Sequence, residues 1–185
     1  MGRGNLGLVE MEGLKAYIPA LILAVLGIVL QGILSNAITI GYATPNFIVA
    51  VALVIAAVYP TFASVVCGFA LGLLYNLLCS GTVGSMAVVL TLLTYAVVII
   101  FSSMENPNLV FGLVAMLVCG FIAELAYGLL VGAFVSGISV SEALVYRALP
   151  CGVYDALITC VLYPVPALIV RALANRMQGP SGWSI

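Results

Sequence analysis

The sequence predicts an all-α integral membrane protein, a bundle of six transmembrane helices, from three observations. Of the 185 residues, 65% are hydrophobic and only 6% are charged, whereas a soluble domain is about half apolar and a quarter charged. The mean hydropathy is +1.33. The apolar residues fall into separate runs, and the first of these is long enough to cross about 30 Å of hydrocarbon.

The predicted organisation is a membrane domain at residues 16–174 between two cytoplasmic tails, at residues 1–15 and 175–185. Several of the apolar runs begin with proline. Proline is well tolerated in the first turn of a helix, because the N–H group that it lacks would have no partner within the helix there. The six predicted spans are Tyr17–Leu34, Asn46–Tyr59, Pro60–Leu78, Gly84–Phe101, Pro107–Phe134 and Pro150–Ala172.

Two of these regions are unusual. The second span, Asn46–Tyr59, covers only about 21 Å at 1.5 Å per residue, so neighbouring helices or a thinned bilayer must accommodate it. Pro164 and Pro166 are predicted to kink the last span. A capping-box pattern before that span predicts a short helix over 140–148, lying on the bilayer surface.

The third span carries a stripe of small and polar residues at a spacing of four, which places them on one face of a helix. The centre of this stripe is a GxxxG pair, which allows the backbone of a neighbouring helix to approach closely. We therefore interpret this span as the central packing helix. The alternative is a GxxxG pair that arises by chance in a glycine-rich membrane chain. The stripe consists of Ser64, Gly68, Gly72 and Asn76.

The distribution of Lys and Arg predicts the orientation. Arg3 and Lys15 precede the first span, and Arg171 and Arg176 lie at or after the end of the last one. Six spans place both termini on the same side, so both are predicted to be cytoplasmic. Arg147 then lies on the outer side.

With this orientation four polar residues fall in the outer half of the bilayer: Gln31, Asn76, Glu124 and Asp155. One interpretation is that they hold helices together by hydrogen bonds, which we favour for the two amides. The other is an outward-facing pocket for a ligand or a partner segment. For Glu124 and Asp155 we give more weight to the pocket, because burial of a carboxyl group in a membrane costs more free energy than burial of an amide.

The composition excludes several classes of protein. There is no His, there are only six acidic residues and the net charge is −1, so we expect no catalytic residues, no metal site, no cofactor and no nucleic-acid partner. The five cysteines lack CxxC spacing and are interpreted as small packing residues.

The order of several motifs resembles the bacterial rod shape-determining protein MreD family. The relevant residues are Pro45-Asn46, Gly68-Phe69-Ala70-Leu71-Gly72 leading to Asn76, Gly81 and Gly84, Leu149-Pro150, Val153-Tyr154-Asp155 and Leu162-Tyr163-Pro164. Asn46 and Asn76 stand where the family usually has an acidic residue, and Asp155 stands where it usually has Asn.

The resemblance implies a non-enzymatic scaffold of the elongation complex that builds lateral peptidoglycan and maintains the rod shape of the cell. The implied partner is MreC, with the elongation transpeptidase and the SEDS glycosyltransferase reached indirectly. The alternative is the substrate-binding S component of an energy-coupling factor (ECF) vitamin transporter, whose architecture looks related.

The exchanged residue types at positions 76 and 155 lead to a specific structural prediction. We expect Asn76 and Asp155 to be neighbours, with the face that carries Gly68 and Gly72 packed against the final span. An amide beside a carboxyl group can remain hydrogen-bonded whichever position carries the acid.

Overall fold

The computed structural model describes residues 3–35, 37–39, 43–78, 84–104, 107–134 and 140–177. Three helical stretches in it are long and apolar enough to cross a membrane, namely 85–102, 109–134 and 143–172, and three shorter apolar helices accompany them. The prediction of an all-helical membrane protein is therefore confirmed. The helices are α1 (Arg3–Leu34), α2 (Phe47–Val58), α3 (Phe62–Leu78), α4 (Ser85–Ser102), α5 (Leu109–Phe134), α6 (Leu149–Leu162) and α7 (Pro164–Met177).

The centre of the bundle is α2. Every residue from Phe47 to Ala57 is buried, and the helix packs against α1, α3, α4, α5, α6 and α7. Its sequence has no polar residue, and a helix that is apolar on all sides belongs in an interior. Twelve residues extend only about 18 Å, so both ends of α2 lie inside or near the apolar layer.

The interpretation of the third span as the central helix is wrong. Several bulky residues of α3 face outward, and Phe62 and Leu77 are 76% and 72% exposed, whereas every residue of α2 from Phe47 to Ala57 is buried. Lipid rather than protein is the natural surrounding for such side chains. A close-packed stripe occupies only one side of a helix, so it does not require the helix to be central.

The glycine face of α3 packs against α4 and not against the final span as predicted. A Cβ atom on Gly68 would lie 2.7 Å from the Thr94 side chain, and one on Gly72 would lie 2.6 Å from Ala87 Cα. At the start of the stripe, the Ser64 hydroxyl donates to the Tyr59 carbonyl. The stripe therefore brings two helices that follow each other in the chain into backbone contact.

A second stripe at a spacing of four, which the sequence-based reading did not single out, lies on α5 and packs against the final helices. A Cβ atom on Gly120 would lie 3.1 Å from Ala156 Cα, and one on Gly128 would lie 2.5 Å from Ala148 Cβ. Glu124 occupies the position between these two glycines. The close approach that they permit brings its carboxyl group to α6.

The final helical stretch differs from its prediction at its start. The segment expected to be a separate surface helix forms a helical turn at Val140–Glu142 and a π-helical segment at Ala143–Ala148, and it continues directly into α6. At the other end the helix is interrupted at Tyr163, and Pro164 opens α7. Proline lacks the N–H that would continue the hydrogen-bond ladder of α6.

Candidate functional site

The start of α2 is buried, so its backbone N–H groups need partners from within the protein. Asn46 is the N-cap residue, and its side-chain oxygen accepts a hydrogen bond from Val49 N at 3.2 Å. The Phe47 N–H donates to Gln31 Oε1 of α1 at 2.8 Å. The Asn46 N–H donates to Asp155 Oδ1 of α6 at 2.7 Å. Side chains from two other helices thus complete the cap that α2 cannot make alone.

Two carboxyl groups meet at this cap. The Asn46 side-chain amide donates to Glu124 Oε1 of α5 at 3.1 Å, while its backbone N–H binds Asp155. The two carboxyl groups also contact each other directly. Asp155 is 0% exposed and Glu124 is 4% exposed. The positive end of the α2 dipole points at both groups and favours negative charge there.

A positive side chain stands beside this cluster. The guanidinium carbon of Arg147, in the π-helical segment, lies 5.6 Å from the centre of the Tyr127 ring, a cation–π arrangement. Tyr127 in turn meets Tyr75 of α3 edge to face, with 6.0 Å between ring centres. Arg147 also interacts electrostatically with Glu124. The cluster therefore has two positive groups near it, the amino end of the α2 dipole and the Arg147 guanidinium.

The structure brings together three of the four polar residues that the sequence placed at one level. Gln31, Glu124 and Asp155 all surround Asn46. Asn76 caps a different helix, since its Oδ1 accepts hydrogen bonds from Met86 N at 3.1 Å and from Ala87 N at 3.3 Å at the start of α4.

The predicted contact between Asn76 and Asp155 stays a prediction. The hydrogen bonds described for the two residues serve different helices, since Asn76 caps α4 and Asp155 caps α2. The pairing had been inferred from similar depth, from the position of Asn76 on the small-residue stripe and from the exchanged residue types. Depth places residues at one level of the bundle without saying which helices are neighbours.

Asn46 is the residue at the centre of the site, and the sequence-based reading treated it only as a departure from a family pattern. A signal for it was present, because Asn is among the preferred N-cap residues and it stands directly before a wholly apolar run. The same dipeptide, Pro-Asn, precedes α5, where Asn108 is exposed and accepts from Val110 N at 3.3 Å. Local sequence therefore predicts the cap but not its burial.

The side chains of this site can cap the start of α2 and carry negative charge. The groups described there can form hydrogen bonds and bind protons. Within the described ranges no group of three His, Cys, Asp or Glu side chains could hold a metal ion. The donors at the site are backbone N–H groups and the Asn46 amide, and the acceptors are carboxyl and amide oxygens.

The opposite end of α2 borders a cavity of about 240 Å³, which is lined by residues of α2, α4 and α7 and by Pro60 and Pro107. Arg171 of α7 lies in its wall and donates to the Pro107 carbonyl. A cation near the carboxyl end of a helix complements the dipole. The two ends of α2 are thus matched by side chains of opposite charge.

Comparison with known proteins gives one match. A family model described as rod shape-determining protein MreD matches residues 14–173, which is most of the chain and includes every residue of the site. No curated protein matches, and no solved structure matches. The expected relation to the S components of ECF transporters is therefore without support.

Proposed function

The chain belongs to the family of the rod shape-determining protein MreD, and from this premise we propose that it is a scaffold that binds MreC in the elongation complex. Family membership makes it a rod shape-determining membrane protein of the elongation machinery, and the family is non-catalytic. The family match is the observation that carries the proposal. The partner itself is our inference.

A scaffold needs a rigid body with outward-facing helices, and the described residues have both properties. The buried α2 ties α1, α5 and α6 together through one hydrogen-bonded cap. Apolar residues of α1 and α3 such as Leu21, Ile22 and Phe62 are exposed. In a membrane such faces contact lipid or the spans of other proteins. MreC would be bound directly, and the elongation transpeptidase and the SEDS glycosyltransferase would be reached through it.

The orientation that we propose places both termini in the cytoplasm. It rests on the four Lys and Arg residues near the two ends of the membrane domain. The cap of α2 then lies in the outer half of the bilayer, and Arg171 lies toward the cytoplasm. Single cysteines at Ser102 and Ser139, in a background without the native cysteines, should be labelled from opposite sides. Labelling of both from one side would overturn this orientation.

The direct test of function is co-purification from cells that express tagged protein together with MreC. We expect a stable complex, and we expect rod shape to be restored in cells depleted of their own family member. A tagged membrane protein of similar size from another family is the control for nonspecific capture. A preparation without MreC that instead carries stoichiometric vitamin, or a coupling ATPase, would favour the S component alternative.

A further inference from the structure

The hydrogen-bond inventory at the cap of α2 leaves one buried oxygen unmatched. Asp155 Oδ1 accepts from the Asn46 N–H at 2.7 Å, but Asp155 Oδ2 has no hydrogen-bond partner among the described residues, although it is buried. The neighbouring group is the Glu124 carboxyl. An ionised carboxylate only accepts hydrogen bonds, so two ionised groups in contact cannot satisfy each other. A single proton between them would supply the missing donor.

The balance of charge around the two carboxyl groups also indicates a bound proton. The end of a helix dipole is equivalent to roughly half a positive charge, which offsets one carboxylate only in part and two even less. Arg147 provides a further positive charge, and it interacts with Glu124. Asp155 is fully buried, and within the described part of the chain no cation interacts with it in the same way. When two carboxyl groups share a site, one of them is driven to bind a proton.

We propose that Asp155 is a proton-binding site, in which Oδ2–H donates to the Glu124 carboxylate while Oδ1 accepts from the Asn46 backbone N–H. The proton lies on the more deeply buried group, and the charge remains on the group that faces Arg147. In this form each oxygen of Asp155 has a partner. The ligand is a proton, taken from the water beside this end of the bundle.

This proton stabilises the position of the start of α2, because it allows both carboxyl groups to remain bound to Asn46. Its removal leaves two carboxylates in contact, and both hold Asn46. The other charged or titratable groups that interact with the pair are Arg147 of the π-helical segment and Cys151 of α6, and behind Arg147 lie Tyr75 of α3 and Tyr127 of α5. Of these, only Arg147 is positive, so the loss of the proton is not compensated from within the described part of the bundle.

The chain offers an unusually direct test, because Asp155 is its only aspartate. The full-length protein in lipid nanodiscs is prepared with aspartate labelled with ¹³C at its side-chain carboxyl group, and infrared spectra are compared with those of unlabelled protein at neutral pH. We expect a band from a protonated carboxylic acid, and we expect the label to move it to lower frequency. The Asp155→Asn variant should lack the band, whereas Glu105→Gln, which removes a carboxyl group elsewhere in the chain, should retain it.

Two results would overturn the proposal. One is the absence of a protonated carboxyl band in the unlabelled protein. The other is a band that the aspartate label leaves in place, which would assign the proton to a glutamate. Neither result depends on a variant that might fail to fold, since both are obtained with the wild-type chain.

Melting temperatures test separately whether this proton stabilises the start of α2. Asp155→Asn reproduces the protonated group, since its amide accepts from Asn46 and donates to Glu124, so its melting temperature should match that of the wild type. Asp155→Leu provides no donor and should melt lower. The wild type binds the proton in the folded state, so its melting temperature should fall as pH rises, and that of Asp155→Asn should fall less. Equal destabilisation by Asn and Leu would contradict this role.

Discussion

Asn46 and Asp155 are joined across 109 positions of the chain by a 2.7 Å hydrogen bond from the backbone N–H that opens α2 to a buried carboxyl oxygen. The bond connects the central helix α2 to α6 at the buried start of α2, where backbone N–H groups without partners are costly. The same asparagine binds Glu124 through its side chain. One residue therefore fixes three helices relative to each other.

The first prediction compares two asparagines in the same dipeptide. Asn46→Ala removes the N-cap acceptor, which costs about 1 kcal/mol, and leaves Glu124 without its amide donor, which costs roughly 1–3 kcal/mol more. Asn108→Ala removes an exposed cap at the start of α5, and the loss should be about 0.5–1 kcal/mol because water replaces the bond. Thermal unfolding in detergent measures both. Equal losses would show that burial of the Asn46 cap contributes nothing.

A second prediction concerns glycines that differ only in their surroundings. A Cβ atom at Gly72 would lie 2.6 Å from the Ala87 backbone, so Gly72→Ala should separate α3 from α4 and cost about 1–3 kcal/mol through overpacking. A Cβ atom at Gly32 of α1 would meet no atom within 4 Å. Gly32→Ala should therefore be neutral or stabilising by up to about 1 kcal/mol through helix propensity. A melting temperature that Gly72→Ala leaves unchanged would rule out close backbone contact there.

The sequence was sufficient to predict the class of the fold, because hydropathy and proline positions report directly on helices in a membrane. It also placed Gln31, Glu124 and Asp155 at one depth, and all three side chains bind the start of α2, at Asn46 or Phe47. It did not predict which helix is central. The short apolar run from 47 to 58 is explained by complete burial, but in a membrane chain lipid-facing helices are equally apolar. Depth likewise could not separate Asn76 from the other three residues, since helix neighbours depend on packing between distant segments.

The different helices that Asn76 and Asp155 cap lead to a third prediction. Asn76→Asp retains an acceptor for Met86 N and Ala87 N, at a helix start where negative charge is favoured, so it should be milder than Asn76→Leu. Combining it with Asp155→Asn should give the sum of the two single effects, since the residues share no partner among the hydrogen bonds described. Sites without shared partners add to within about 0.3–0.5 kcal/mol. A larger coupling energy in the double-mutant cycle would restore the predicted contact.

The last prediction tests whether Arg147 balances the charge of Glu124. Arg147→Gln removes the only cation found beside the carboxyl pair in the described structure and should destabilise the protein. Glu124→Gln removes the charge that needs balancing, so the double variant should lose less than the sum of the two single variants. Contacting charged residues couple by about 0.5–3 kcal/mol. Arg171→Gln is the matched control, because Arg171 binds the Pro107 carbonyl near the opposite end of α2 and should show no coupling to Glu124→Gln. Equal coupling for both arginines would mean that net charge rather than proximity sets the effect, and the role given to Arg147 would then be wrong.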